Sequence, residues 1–145
     1  MISILIAFFS GALMSIQGVF NTGVTKQTSL WVANSFVQFT GFLLCLVIWM
    51  AKEREHSFLT LMKVEPKYFL LGGILGAGIT MTVIRSMNSL GPAKAVMLIV
   101  ISQIVIAYLI ELFGLFGVEK VPFQWSKVLG AAVMITGIVI FKWKT

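Results

Sequence analysis

Apolar residues run along this chain in five long blocks, approximately Ile2–Phe20, Leu30–Ala51, Tyr68–Leu90, Ala93–Phe116 and Trp125–Phe141, with most charged residues gathered in short stretches between them. Each block is close to the ~20 residues that carry an α-helix across ~30 Å of hydrocarbon. Lipid offers the backbone no hydrogen bonds, so such a block is predicted to be a helix that satisfies its own N–H and C=O groups. The longest connection is Lys52–Lys67, and Pro66, Pro92 and Pro122 fall just before or at helix starts, where a missing N–H costs no bond. Trp31, Trp49, Tyr68, Trp125 and Trp143 gather at block ends, as an interfacial aromatic belt does. The first block has no basic residue ahead of it and no convincing cleavage site, so it reads as a permanent span and not a signal peptide. The prediction is an all-α membrane protein, with residues 1–145 forming one integral-membrane domain of five transmembrane helices.

Polar and small residues inside the blocks recur at helical spacing. Ser10, Met14, Gln17 and Asn21 form one stripe, and Asn34, Gln38, Gly41 and Cys45 repeat it. The third block continues with Gly78, Thr82, Arg85 and Ser89, and the fourth with Gln103, Ala107, Glu111 and Gly114. A central arginine facing lipid costs roughly 2.5–3.5 kcal/mol on insertion scales, so the stripes are expected to face one another or a water-filled cavity. Amides that hydrogen-bond between helices as simple glue are the competing reading, at about 0.6 kcal/mol each. Gly72, Gly73, Gly76 and Gly78 crowd the start of the third block, where close helix packing is sufficient reason for them. The fifth block, with Gly130 and Gly137 and a Lys142–Lys144 end, reads as a packing or dimerisation helix.

Composition closes off several classes. At 59% hydrophobic and 11% charged, with mean hydropathy +1.00, the chain carries too much apolar surface for a soluble domain of 16.0 kDa. Its net charge of +6 sits mostly beside the apolar blocks, where it sets topology and meets lipid headgroups, so no nucleic-acid partner is implied. One cysteine, Cys45, and one histidine, His56, provide no disulfide, no metal site and no nucleophile–base pair, so neither an enzyme nor a bound cofactor is expected.

The basic residues are nearly balanced across the membrane. With five spans, Lys52, Arg54, Lys63, Lys67, Lys120 and Lys127 share the N-terminal side, while Lys26, Lys94, Lys142 and Lys144 lie opposite, joined by Arg85 if it is counted. Such a balance suits a chain that inserts in both orientations and pairs with an inverted copy. At ~1.5 Å per residue, Gln17, Asn34, Gln38 and Arg85 fall in one half of the membrane and Gln103 near its middle, with Glu111 in the other half about 20 Å from Arg85. An inverted copy would bring Glu111 to the depth of its partner's Arg85.

The segments Ile16-Gln17-Gly18-Val19-Phe20-Asn21, Trp31-Val32-Ala33-Asn34-Ser35-Phe36, Gly72-Gly73-Ile74-Leu75-Gly76-Ala77, Leu90-Gly91-Pro92-Ala93, Ser102-Gln103 and Ile110-Glu111-Leu112-Phe113-Gly114-Leu115-Phe116-Gly117 closely resemble the YdcZ-like family, a five-helix branch of the drug/metabolite transporter superfamily in bacteria. The acidic position is more often Asp in that family, where this chain has Glu111. The resemblance implies a transporter of the bacterial inner membrane, built as an antiparallel homodimer or as a pair with a homologue. On that reading a small polar solute crosses by alternating access, with Gln17, Asn21, Asn34, Gln38 and Gln103 hydrogen-bonding to it. Arg85 would meet an anionic group or the second copy's glutamate, and Glu111 would couple protons or act as a charge partner. A small dual-topology ion channel and a non-transporting membrane scaffold are the alternative classes.

Overall fold

The computed structural model of the chain describes residues 1–52 and 57–142; Arg54, His56, Trp143 and Lys144, used in the readings above, lie outside the described residues. Every regular element among the described residues is helical, and they group into two compact units, Met1–Ser89 and Leu90–Thr145.

The first unit contains α1 (Ile2–Gln27), α2 (Leu30–Lys52) and α3 (Gly72–Leu90), with two short 3-10 turns, Phe58–Lys63 and Lys67–Leu71, leading into α3. The apolar block predicted an end for α1 near Phe20, but the helix continues to Gln27. Its added turns are polar and still fit a helix in lipid, because Thr22, Thr25 and Thr28 each return their hydroxyl to the carbonyl four residues earlier at 2.8 Å. The Ser29 hydroxyl then accepts from Val32 N–H at 3.2 Å and caps the start of α2. A connection this short returns α2 alongside α1.

The third helix lies over the turn-proximal half of this hairpin. Its first turns meet α2, where Asn34 Nδ2 donates to Ala77 O at 3.0 Å, and its later turns meet α1, where Gly18 faces Val83 and Met87. Position 18 suits glycine: a Cβ there would overlap the Met87 thioether end, which would have to shift, and stand 3.2 Å from Val83 Cγ1. The glycines of α3 play no such part, since Gly72, Gly73 and Gly78 have open space where a Cβ would be and Gly76 meets only Gln38 Nε2 at 3.9 Å. The close-packing glycine is therefore in α1, while of the α3 glycines Gly72 and Gly73 are exposed and Gly76 and Gly78 half-buried.

The second unit holds α4 (Pro92–Phe113), a 3-10 turn (Leu115–Gly117) and α5 (Trp125–Lys142), which packs on α4. The fourth helix stops at Phe113, short of the predicted Phe116, because Gly114 turns left-handed at φ 64°. The chain then folds back so that Val121 N–H donates to Glu111 O at 2.9 Å, tying the loop to the last turn of α4.

Four segments, Ile2–Gln27, Leu30–Lys52, Lys67–Leu90 and Pro92–Phe113, are long and apolar enough to cross a membrane, and Trp125–Phe141 is a shorter apolar helix. Side chains such as Phe8, Phe9, Phe20 and Leu44 point outward, while among the described residues the buried apolar ones are Ala33, Ile84, Met87 and Ala95. This inverted distribution suits a protein whose solvent is lipid, where helices associate through close contact and hydrogen bonds and not through exclusion of water.

Candidate functional site

Two of the predicted polar residues are drawn into the packed region of the first unit. Asn21 and Asn34 are 7% and 5% exposed, and each lies within about two helical turns of the α1–α2 connection. Only an amide NH2 can donate to the Ala77 carbonyl, so the Asn34 side chain is oriented by its partner. Its other end, Oδ1, is buried and accepts no hydrogen bond among the described residues. One turn further along α2, Gln38 is exposed and donates to Thr80 Oγ1 at the long distance of 3.5 Å; Thr80 itself donates to Gly76 O at 3.0 Å. Asn34 and Gln38 thus both reach α3 across Gly76–Thr80, a stretch whose small side chains let long amides approach the backbone.

The remaining predicted residues are not gathered by their own unit. Gln17 on α1 and Arg85 on α3 are exposed, as is Gln103 on α4 in the second unit. Arg85 forms no ion pair among the described residues.

Glu111 has a partner that the polar stripes did not indicate. Its Oε2 accepts from Lys127 Nζ at 2.8 Å, joining the last turn of α4 to the first turn of α5. Lys127 also stands over the Tyr108 ring, 5.2 Å from its centre, while the Tyr108 hydroxyl accepts from Gln124 N–H at 3.2 Å. Lys127 entered the sequence reading only as a topology charge; the usable signal was its place at the start of the fifth block, the end that a short connection returns to Glu111. Tyr108, three residues before Glu111, shares its helix face. Below this pair α4 and α5 enclose an apolar groove of about 450 Å³ that Gln103 does not line. The fifth helix, expected to serve packing or dimerisation, forms one wall of it.

A family model described as "Putative inner membrane exporter, YdcZ" matches residues 2–140. The chain belongs to the YdcZ family. No curated protein and no solved structure matches it. The YdcZ resemblance read from the motifs therefore holds over almost the whole chain. Together with its apolar helices, membership makes this YdcZ-family chain a multi-pass protein of the inner membrane, in a family described as exporters.

Proposed function

We propose that this YdcZ-family protein is a secondary exporter that moves a small polar solute by alternating access, working as an antiparallel homodimer or with an inverted homologue. Family membership supports export. The observation that carries the site is the Asn34 amide, whose NH2 donates to Ala77 O and whose oxygen is buried without a hydrogen bond among the described residues. A buried acceptor without a partner costs roughly 1–3 kcal/mol, which a donor group on a solute would recover. On this reading Asn21, Gln17 and Gln38 supply further hydrogen bonds to the solute from α1 and α2 and Arg85 answers an anionic group, while Gln103, in the second unit, is a separate candidate hydrogen-bonding group. Glu111, paired with Lys127 in its own chain, remains the candidate for proton coupling through exchange of that partner.

The dimer reading rests on what the single chain leaves uncovered. Gln17, Arg85 and Gln103 are exposed on membrane-length helices, and the exposed Gly72 and Gly73 of α3 leave room for a close neighbour. An inverted copy would cover such faces while keeping the nearly equal basic charge on both sides of the membrane.

The test combines topology with transport. In reconstituted vesicles, a tag on the C-terminus is expected to be accessible from both sides, and a solute that raises the melting temperature is expected to show saturable counter-transport. Asn34→Ala should weaken solute binding by roughly three- to tenfold, the loss of one hydrogen bond to a neutral group. A C-terminus found on one side only refutes the inverted homodimer. Solute flux that neither saturates nor drives counter-transport points to the channel class and refutes the exporter.

A further inference from the structure

The α4–α5 groove is left unexplained by the export reading, whose proposed solute site lies on α1–α3, with Gln103 a separate candidate that does not line the groove. Its walls include Ile104, Val105, Ala131 and Met134, all apolar. Its mouth carries one anion and one cation, Glu111 and Lys127, 2.8 Å apart and with side chains still 44% and 35% exposed. Both charges stand at helix ends, Glu111 before the close of α4 at Phe113 and Lys127 after the start of α5 at Trp125. Phe123 and Trp125 meet there edge to face with ring centres 5.3 Å apart, and Tyr108 lies beneath Lys127. Such aromatic groups collect at the level of lipid headgroups. From that level the groove runs along α5 from Lys127 to Met134 and along α4 from Glu111 to Ile104, about 10 Å into the hydrocarbon at ~1.5 Å per residue.

A phospholipid has the same two-part layout, with an acyl chain below and a charged head at the interface. The geometry points to a resident phospholipid with a primary-ammonium headgroup, its phosphate on Lys127 Nζ, its ammonium on the Glu111 carboxylate and an acyl chain between α4 and α5. The protein's own ion pair stays intact in this arrangement. One Lys127 donor goes to Glu111 Oε2, leaving two donors for phosphate, and Glu111 Oε1 is left to accept from the lipid ammonium. Other headgroups answer only half of the mouth: a purely anionic head meets Lys127 but places like charge beside Glu111, and a quaternary ammonium has no N–H to give the carboxylate. The inference is independent of which solute the first unit carries.

The full chain, purified in detergent and stripped of lipid, is offered phosphatidylethanolamine, phosphatidylcholine and phosphatidylglycerol with identical acyl chains, and the lipid retained is read by native mass spectrometry. Phosphatidylethanolamine is expected to be retained about tenfold over phosphatidylcholine, the value of one charge-assisted hydrogen bond. Glu111→Gln should bring that ratio close to one, and Lys127→Gln should lower retention of all three lipids. Gly130→Leu keeps both charges but fills the groove from a position with nothing within 4 Å of its Cβ, and it should abolish the preference. A ratio of two lipids on one sample is insensitive to partial loss of folded protein. Equal retention of the three lipids by the unaltered chain overturns the site, as does a preference that survives both Glu111→Gln and Gly130→Leu. Loss of the dimer in Gly130→Leu with an unchanged lipid ratio assigns the groove to a second copy and overturns it too.

Discussion

Gly18 and Asn34 do at the residue scale what a hydrophobic core does in a soluble protein: they hold helices together. Their means differ. Gly18 lets α1 approach α3 until the Met87 side chain fills the space of a missing Cβ. Because the clashing atoms are the flexible end of Met87, Gly18→Ala should destabilise by only about 1 kcal/mol, the low end for overpacking. In a Met87→Ala background the same substitution should be nearly neutral, so the two changes couple. Denaturant titration in mixed micelles reads this cycle, and strictly additive losses would show that Gly18 does not meet Met87. Asn34 meets the glue expectation through its NH2, which donates to Ala77 O, while its carbonyl oxygen is buried and accepts no hydrogen bond among the described residues.

Among elements, the connection between α4 and α5 sets the geometry of the charged mouth. Gly114 ends α4 in the left-handed region, where its Cβ position lies 3.3 Å from Lys120 Cβ and 3.4 Å from Val118 O, and the Val121 N–H bond to Glu111 O follows from that reversal. Gly114→Ala should cost about 1–2 kcal/mol from left-handed strain alone, before any shift of the loop. It should also weaken the Glu111–Lys127 pair, because α5 enters from the displaced loop. The check is the effect of Lys127→Gln on thermal stability, expected to be smaller in the Gly114→Ala background. A Lys127→Gln effect of unchanged size would separate the pair from the turn.

Considered as a whole molecule, the chain carries near-balanced basic charge and leaves Gln17, Arg85 and Gln103 without cover. Adding lysines to the Val118–Gln124 connection in one variant and to the Thr28–Ser29 turn in another should impose opposite orientations, since short basic loops favour the cytoplasmic side. Each variant alone should lose most transport in vesicles, and the two together should recover it. Full activity from either orientation by itself would remove the need for an inverted partner.

The apolar blocks by themselves determined the class, the five helices and most of their boundaries, because a helix in lipid must be long, continuous and apolar to satisfy its backbone. They also marked Asn34 and Glu111 as polar groups in need of partners. Some boundaries moved in ways that hydropathy does not contain: α1 runs past Phe20 through polar turns whose threonine hydroxyls are satisfied on the helix's own carbonyls, a 3-10 turn precedes α3 so that it starts at Gly72, and a left-handed Gly114 stops α4 early. The identities of the partners belonged to the tertiary structure. A small-residue pattern in α3 pointed to close packing there, yet the tight contact is Gly18 with Met87, and the charge that meets Glu111 comes from Lys127 on the next helix. Periodicity tells which face of a helix is polar, but which side chain stands opposite depends on where two helices cross, and that is decided only when they pack.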